Sequence, residues 1–114
     1  MAANPVAPFP VLRIESRKSA ETITLICHGR ITSDSTQLLQ SEVRKLIPET
    51  KHIVLDLGDV TYLDSSGLGA LVGLYASARK NGIELKLAHL TERIADLLRI
   101  TRLGSVFNDY GQFL

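Results

Sequence analysis

Residues 52–88 constrain the fold of this chain more than any other stretch. HIVLDL, from His52 to Leu57, is almost continuously apolar, the mark of a central strand covered on one face at least. Beyond it, Leu68, Leu71, Val72, Tyr75 and Ala78 recur at three- and four-residue steps, which predicts an amphipathic helix. Asn81-Gly82 closes that helix, since glycine readily takes the left-handed conformation that ends one. IELKLAHL follows, with Ile83, Leu85 and Leu87 set roughly against Glu84, Lys86 and His89, and reads as a second strand. Strand, helix and strand in this order make a βαβ unit, whose two strands run parallel.

The flanks extend this unit. VLRIES and TITLICH read as two strands, the second alternating Ile23, Leu25 and Cys27 with Thr22, Thr24 and His28. The polar SRKSAE between them is short enough for an antiparallel pair. Asp34 followed by Gln37 fits a capping box, opening a helix with Leu39, Val43, Leu46 and Ile47 on its apolar face and Pro48 at its end. Thr91 caps a last helix with Ile94, Leu97 and Leu98 inward and Gly104 beyond it. SVFNDYGQF supplies either an edge strand or a short helix. The expected fold is therefore α/β, a small mixed β-sheet of four to five strands with interspersed helices.

A chain of 114 residues suits one domain with a real core. Pro5, Pro8 and Pro10 make residues 1–11 a flexible, Pro-rich N-terminal tail, leaving 12–114 as the folded domain. MAANPVAPFPV lacks the basic and apolar regions of a secretory signal, and no apolar run approaches the ~18 residues of a membrane span. The single cysteine, Cys27, excludes an internal disulfide and fits a reducing compartment, so a soluble cytoplasmic protein is expected. A net charge of +1 gives no general pull towards nucleic acid, and Arg93, Arg99 and Arg102 are interleaved with Glu92 and Asp96.

The chemistry concentrates in VTYLDSSGLGAL, Val60–Leu71, where the first strand of the βαβ unit hands over to its helix. That carboxyl edge is where open α/β sheets form sites. Asp64 or Ser65 is a natural helix cap, and the glycines allow close backbone packing. A nucleophile elbow needs G-x-S-x-G, and Leu63 stands where the first glycine belongs. His28, His52 and His89 are scattered and read as surface or satisfied strand residues rather than a catalytic base. GLGALVG lacks the lysine of a P-loop and the order of a dinucleotide site. Asp56, Asp59 and Asp64 do not cluster as metal ligands, and no Cys/His spacing suggests zinc, so no cofactor is expected. From the residues alone the cap is the favoured role, since Ser and Asp are the commonest helix caps, and a serine phosphoacceptor is the alternative. Phosphate adds about −1.5 to −2 charges, which a helix N-terminus tolerates but an apposed partner does not.

HIVLDLGDVTYLDSSGLGALVGLYASARKNGIELKLAHL resembles the STAS domains, specifically the stand-alone bacterial anti-sigma factor antagonists. The strand ending in Asp-Leu, the V-x-x-L-D-S-S-G-L-G turn and the NGIELKLA strand match in order, and ERIADLLRITRLGSVFNDY resembles the family's C-terminal end. The likeness runs from about Leu12 to Tyr110. It implies a partner-switching module without catalytic activity of its own. On this resemblance the phosphorylated residue is Ser65, modified by an anti-sigma factor that is itself a serine kinase and restored by a serine phosphatase. The unmodified protein binds the anti-sigma factor, and phosphorylation releases it. The implied partner-binding residues are Thr32, Ser33 and Asp34 in one loop, with Asp64, Ser65, Ser66, Gly67 and Leu68 in the other. The family often has an acid where this chain has Thr32, with Asp34 two residues on; local capping is the alternative role for Thr32, Ser33 and Asp34. A constitutive scaffold subunit of a signalling or lipid-transport complex is the other function the resemblance allows.

Overall fold

A computed structural model describes residues 11–105, so both the proline-rich start and most of SVFNDYGQF lie outside the described residues. The elements are β1 (Leu12–Ser19), β2 (Thr22–Ile31), α1 (Thr36–Leu46), β3 (His52–Leu63), α2 (Ser65–Lys80), β4 (Glu84–Ala88) and α3 (Glu92–Ile100), followed by a 3-10 turn at Leu103–Ser105. The sheet runs β1-β2-β3-β4. β1 pairs antiparallel with β2, whereas β2–β3 and β3–β4 are parallel. The mixed sheet and the βαβ unit are therefore those the sequence predicts.

Burial explains the arrangement. Leu25, Cys27, Leu55, Leu57 and Leu87 project from the sheet into one core with Leu39 and Val43 of α1, Leu71 and Leu74 of α2, and Ile94 and Leu98 of α3. Each such side chain fully buried contributes roughly 1.5–3 kcal/mol. α2 is apolar enough to bury Ala70 and Leu74 besides the predicted Leu68, Leu71 and Ala78, while Val72 and Tyr75 are only partly covered. It ends as predicted at Asn81-Gly82. The Ile83 amide donates to the Ala78 carbonyl and the Gly82 amide to Arg79, a Schellman closure made possible by the positive φ of 72° at Gly82.

Three local expectations change. β1 and β2 are longer than the apolar pattern suggests, so only Ala20 and Glu21 separate them. β3 continues past Leu57 to Leu63 because it carries two bulges. Between the Ile26–Asp56 and His28–Asp59 pairs, and again between Gly29–Val60 and Arg30–Tyr62, β3 inserts one more residue than β2. An inserted residue breaks the in–out alternation while the strand goes on. Finally, the Asp34–Gln37 capping box does not form. α1 starts at Thr36 with Ser35 at its cap, and no side chain caps its amides. Ser35 turns back instead, its hydroxyl donating to the Arg30 carbonyl at 2.7 Å and accepting from the Thr32 amide at 2.9 Å.

Candidate functional site

The site is built from two loops at the carboxyl end of β2 and β3. β3 delivers Leu63 into the core and leaves Asp64 extended, with φ −99° and ψ −174°. From there the Asp64 side chain accepts from the Gly67 amide at 2.8 Å, a conventional N-cap. Ser65 and Ser66 are the first two residues of α2, and both are exposed. The first amides of a helix lack intrahelical acceptors and carry the positive end of its dipole, so the two hydroxyls stand where an anion is favoured.

The second loop follows β2. Thr32 donates its hydroxyl to Asp34, and this bond, the loop backbone and the nearby Arg30 charge hold the Asp34 carboxyl below its ordinary value. Ser33 and Asp34 are exposed, whereas Ser35 beneath them is buried. The loops meet at the Ile31 carbonyl. It accepts from the Asp64 amide at 3.4 Å and lies so close to Gly67 that a Cβ there would sit 2.1 Å away. Only glycine permits that approach. Among the predicted site residues, Ser33, Asp34, Ser65 and Ser66 therefore face solvent, Thr32 and Asp64 are half-buried, and Gly67 and Leu68 lie in the interior.

Tyr62 adds a feature that the sequence reading passed over. It is 47% exposed and, with Leu63, forms one wall of a groove of about 480 Å³ whose other wall is α3, with Glu92, Arg93 and Asp96 beside Leu97 and Ile100. The signal was present, because alternation with buried Leu63 turns Tyr62 outward.

Other chemistries find less support. Each histidine faces a carboxylate: His28 faces Glu15 and Asp59, His52 faces Glu84, and His89 faces Asp56. Among the described residues no three His, Cys, Asp or Glu side chains converge on a metal position. Burial, helped by the Asp56 charge, pushes the Cys27 thiol up to about 12, which removes its thiolate at neutral pH.

The STAS domain family model matches residues 13–112. The chain is 30% identical over 97 residues to the anti-sigma-B factor antagonist of Bacillus subtilis, covering 85% of this chain and 89% of that one. The chain belongs to the STAS family, in its anti-sigma factor antagonist branch. Solved structures agree on the fold of this STAS domain. An anti-sigma factor antagonist from Mycobacterium paratuberculosis superposes with a TM-score of 0.75 at 18% identity, over 84% of this chain and 82% of its own. The antagonist SpoIIAA superposes in its unphosphorylated form with a TM-score of 0.69 at 14% identity, covering 82% and 84% of the two chains. In its phosphorylated form, from Bacillus, it superposes with a TM-score of 0.66, also at 14% identity, over 82% and 86%. Among the described residues of this STAS domain, no helix is long and apolar enough to cross a membrane.

Proposed function

We propose that this antagonist is a binding module switched by phosphate on Ser65. Unmodified, it docks on a cytoplasmic anti-sigma factor that is also a serine kinase, and so frees the sigma factor. The kinase transfers the γ-phosphoryl group of ATP to the Ser65 oxygen. The new P–O bond forms as the β–γ anhydride breaks, ADP leaves, and the hydroxyl proton passes to the kinase. A serine phosphatase reverses the modification by hydrolysis. The chain itself contributes the acceptor and the docking surface, and no catalytic group.

One observation carries this reading: an exposed serine at the first position of α2, beside the Asp64 cap and alongside the Thr32–Asp34 loop. A phosphate there meets helix amides and the dipole, an interaction worth ~0.3–1 kcal/mol to the fold. Against a docked partner the balance reverses. Burying the dianion beside the Asp64 carboxylate costs several kcal/mol, and each 1.4 kcal/mol weakens binding about tenfold. That SpoIIAA takes this fold in both its phosphorylated and unphosphorylated forms supports a switch that leaves the architecture in place.

The test is phosphopeptide mapping after incubation with ATP and a serine-kinase anti-sigma factor from the same organism. Label is expected on Ser65 and absent from Ser65→Ala. In binding assays Ser65→Ala should retain the partner and Ser65→Asp should lose it. Label confined to Ser66 would refute the choice of acceptor. Equal binding by both variants would instead establish the constitutive scaffold.

A further inference from the structure

On β2, His28 lies between two carboxylates from neighbouring strands. Its Nε2 is 2.7 Å from Glu15 Oε1 on β1, and its Nδ1 is 2.5 Å from Asp59 Oδ2 on β3. A neutral imidazole owns one N–H, so one ring nitrogen would turn a lone pair on a carboxylate oxygen. Only the doubly protonated ring donates to both. We propose that His28 is an imidazolium pin joining β1, β2 and β3, and that it releases as pH rises, loosening the bulged part of β3.

The surroundings favour the charged ring. β1 presents Glu15 together with Arg13 and Arg17, and β3 presents Asp59. The bonds to Asp59 and Glu15 raise the His28 pKa despite the opposing effects of desolvation and the Arg13 charge. The bond from His28 in turn lowers that of Glu15, with help from Arg13 and Arg17. The signs then define a window. Stabilisation from His28 is complete below the ordinary histidine value and is lost as pH climbs through its raised folded value. Stabilisation through Glu15 is present above the ordinary glutamate value and is lost as pH falls through its depressed one. The pin is intact between these limits, and its alkaline release follows the raised folded value, above the ordinary histidine value of ~6.5. The carboxylates approach opposite edges of the ring, which makes a bridge and not a metal site.

Location gives the pin its consequence. Asp59 follows the first inserted residue of β3, and Asp56, before it, accepts from the Gly58 amide at 2.9 Å and pairs with His89. Backbone hydrogen bonding is irregular here, so side chains hold the strand where pairing is weakest. β3 then runs on to Asp64 and Ser65. The pin sets the stiffness of the strand that leads to the proposed acceptor, and only that last consequence rests on the Ser65 reading.

The experiment uses the full chain alone, with no kinase or partner. Imidazole resonances are followed by NMR from about pH 5 to 9, and His28 is assigned with His28→Gln. The His28 midpoint should lie above that of the urea-unfolded chain and fall in both Glu15→Gln and Asp59→Asn, at side chains that are 41% and 65% exposed. The stability advantage of wild type over Asp59→Asn should shrink as pH rises through that midpoint. Amide exchange across residues 58–63, corrected for intrinsic pH dependence, should quicken there in wild type only. A native midpoint at or below the unfolded one, or one that neither variant moves, overturns the proposal. So does exchange that shows no step at the midpoint.

Discussion

Replacing Gly67 with alanine should destabilise the protein, although alanine is the better helix former. The added Cβ would stand 2.1 Å from the Ile31 carbonyl oxygen, 2.9 Å from its carbon and 2.7 Å from Leu63 Cδ1. The shortest of these is more than 1 Å inside the 3.4 Å at which ordinary contact begins. Leu63 can swing its tip away. The Ile31 carbonyl cannot, because it is main chain at the end of β2 and accepts from the Asp64 amide. The start of α2 must therefore lift off the β2–α1 loop. Overpacking of this kind costs ~1–3 kcal/mol, and the gain in helix propensity returns at most about 1 kcal/mol. With the full propensity gain subtracted, a net loss of up to about 2 kcal/mol follows. Gly69 and Gly73 lie in the same helix with nothing within 4 Å of an added Cβ, so alanine there should stabilise by about 0.5–1 kcal/mol. Urea unfolding of the three variants at constant m-value measures all three signs. Gly67→Ala as stable as Gly69→Ala would refute the close approach on which the two-loop site depends.

Two further substitutions probe the same region. Asp64→Ala removes the acceptor of the Gly67 amide and should cost about 1 kcal/mol in urea unfolding, with Asp64→Asn keeping most of it. Ser35→Ala strips the buried hydroxyl from both the Thr32 amide and the Arg30 carbonyl and should cost ~1–3 kcal/mol. An unchanged midpoint for Ser35→Ala would mean that the loop has found other partners.

Legibility in the sequence followed how many local solutions each segment allowed. Asp64 and Thr91 each precede a clear apolar period; Thr91 caps as predicted, and of the two candidates Asp64 and Ser65 it is Asp64 that caps. TSDST supplies an acid and several hydroxyls in a row, any of which is chemically able to cap. There the choice fell to the backbone path from Arg30, which draws the Ser35 hydroxyl inward. β3 runs past its apolar stretch for a related reason. Gly58 and Asp59 interrupt its apolar run, and a single sequence does not distinguish a bulge from an end. At the site, the strand-to-helix hand-over located the Asp64-Ser65-Ser66 turn, and only the family resemblance singled out Ser65. The meeting of two loops at the Ile31 carbonyl is a long-range contact that no local pattern encodes.

That contact also separates the residues that hold the site from those that a partner would read. Gly67 and Leu68 are buried, so any part they take in recognition passes through the position of α2 and not through touch. Ser33, Asp34, Ser65 and Ser66 are exposed and offer mostly small polar groups, which by themselves bury little apolar area. In the proposed switch the attraction must then come largely from neighbouring apolar surface such as Tyr62, with the serines set close enough to veto it. A hydroxyl in that position is cheap to desolvate, and a phosphate is not. The same reasoning explains why the proposed acceptor sits at the start of a helix. The dipole tolerates the dianion when the surface is free, so nearly the whole cost of phosphorylation falls on the complex and little on the fold.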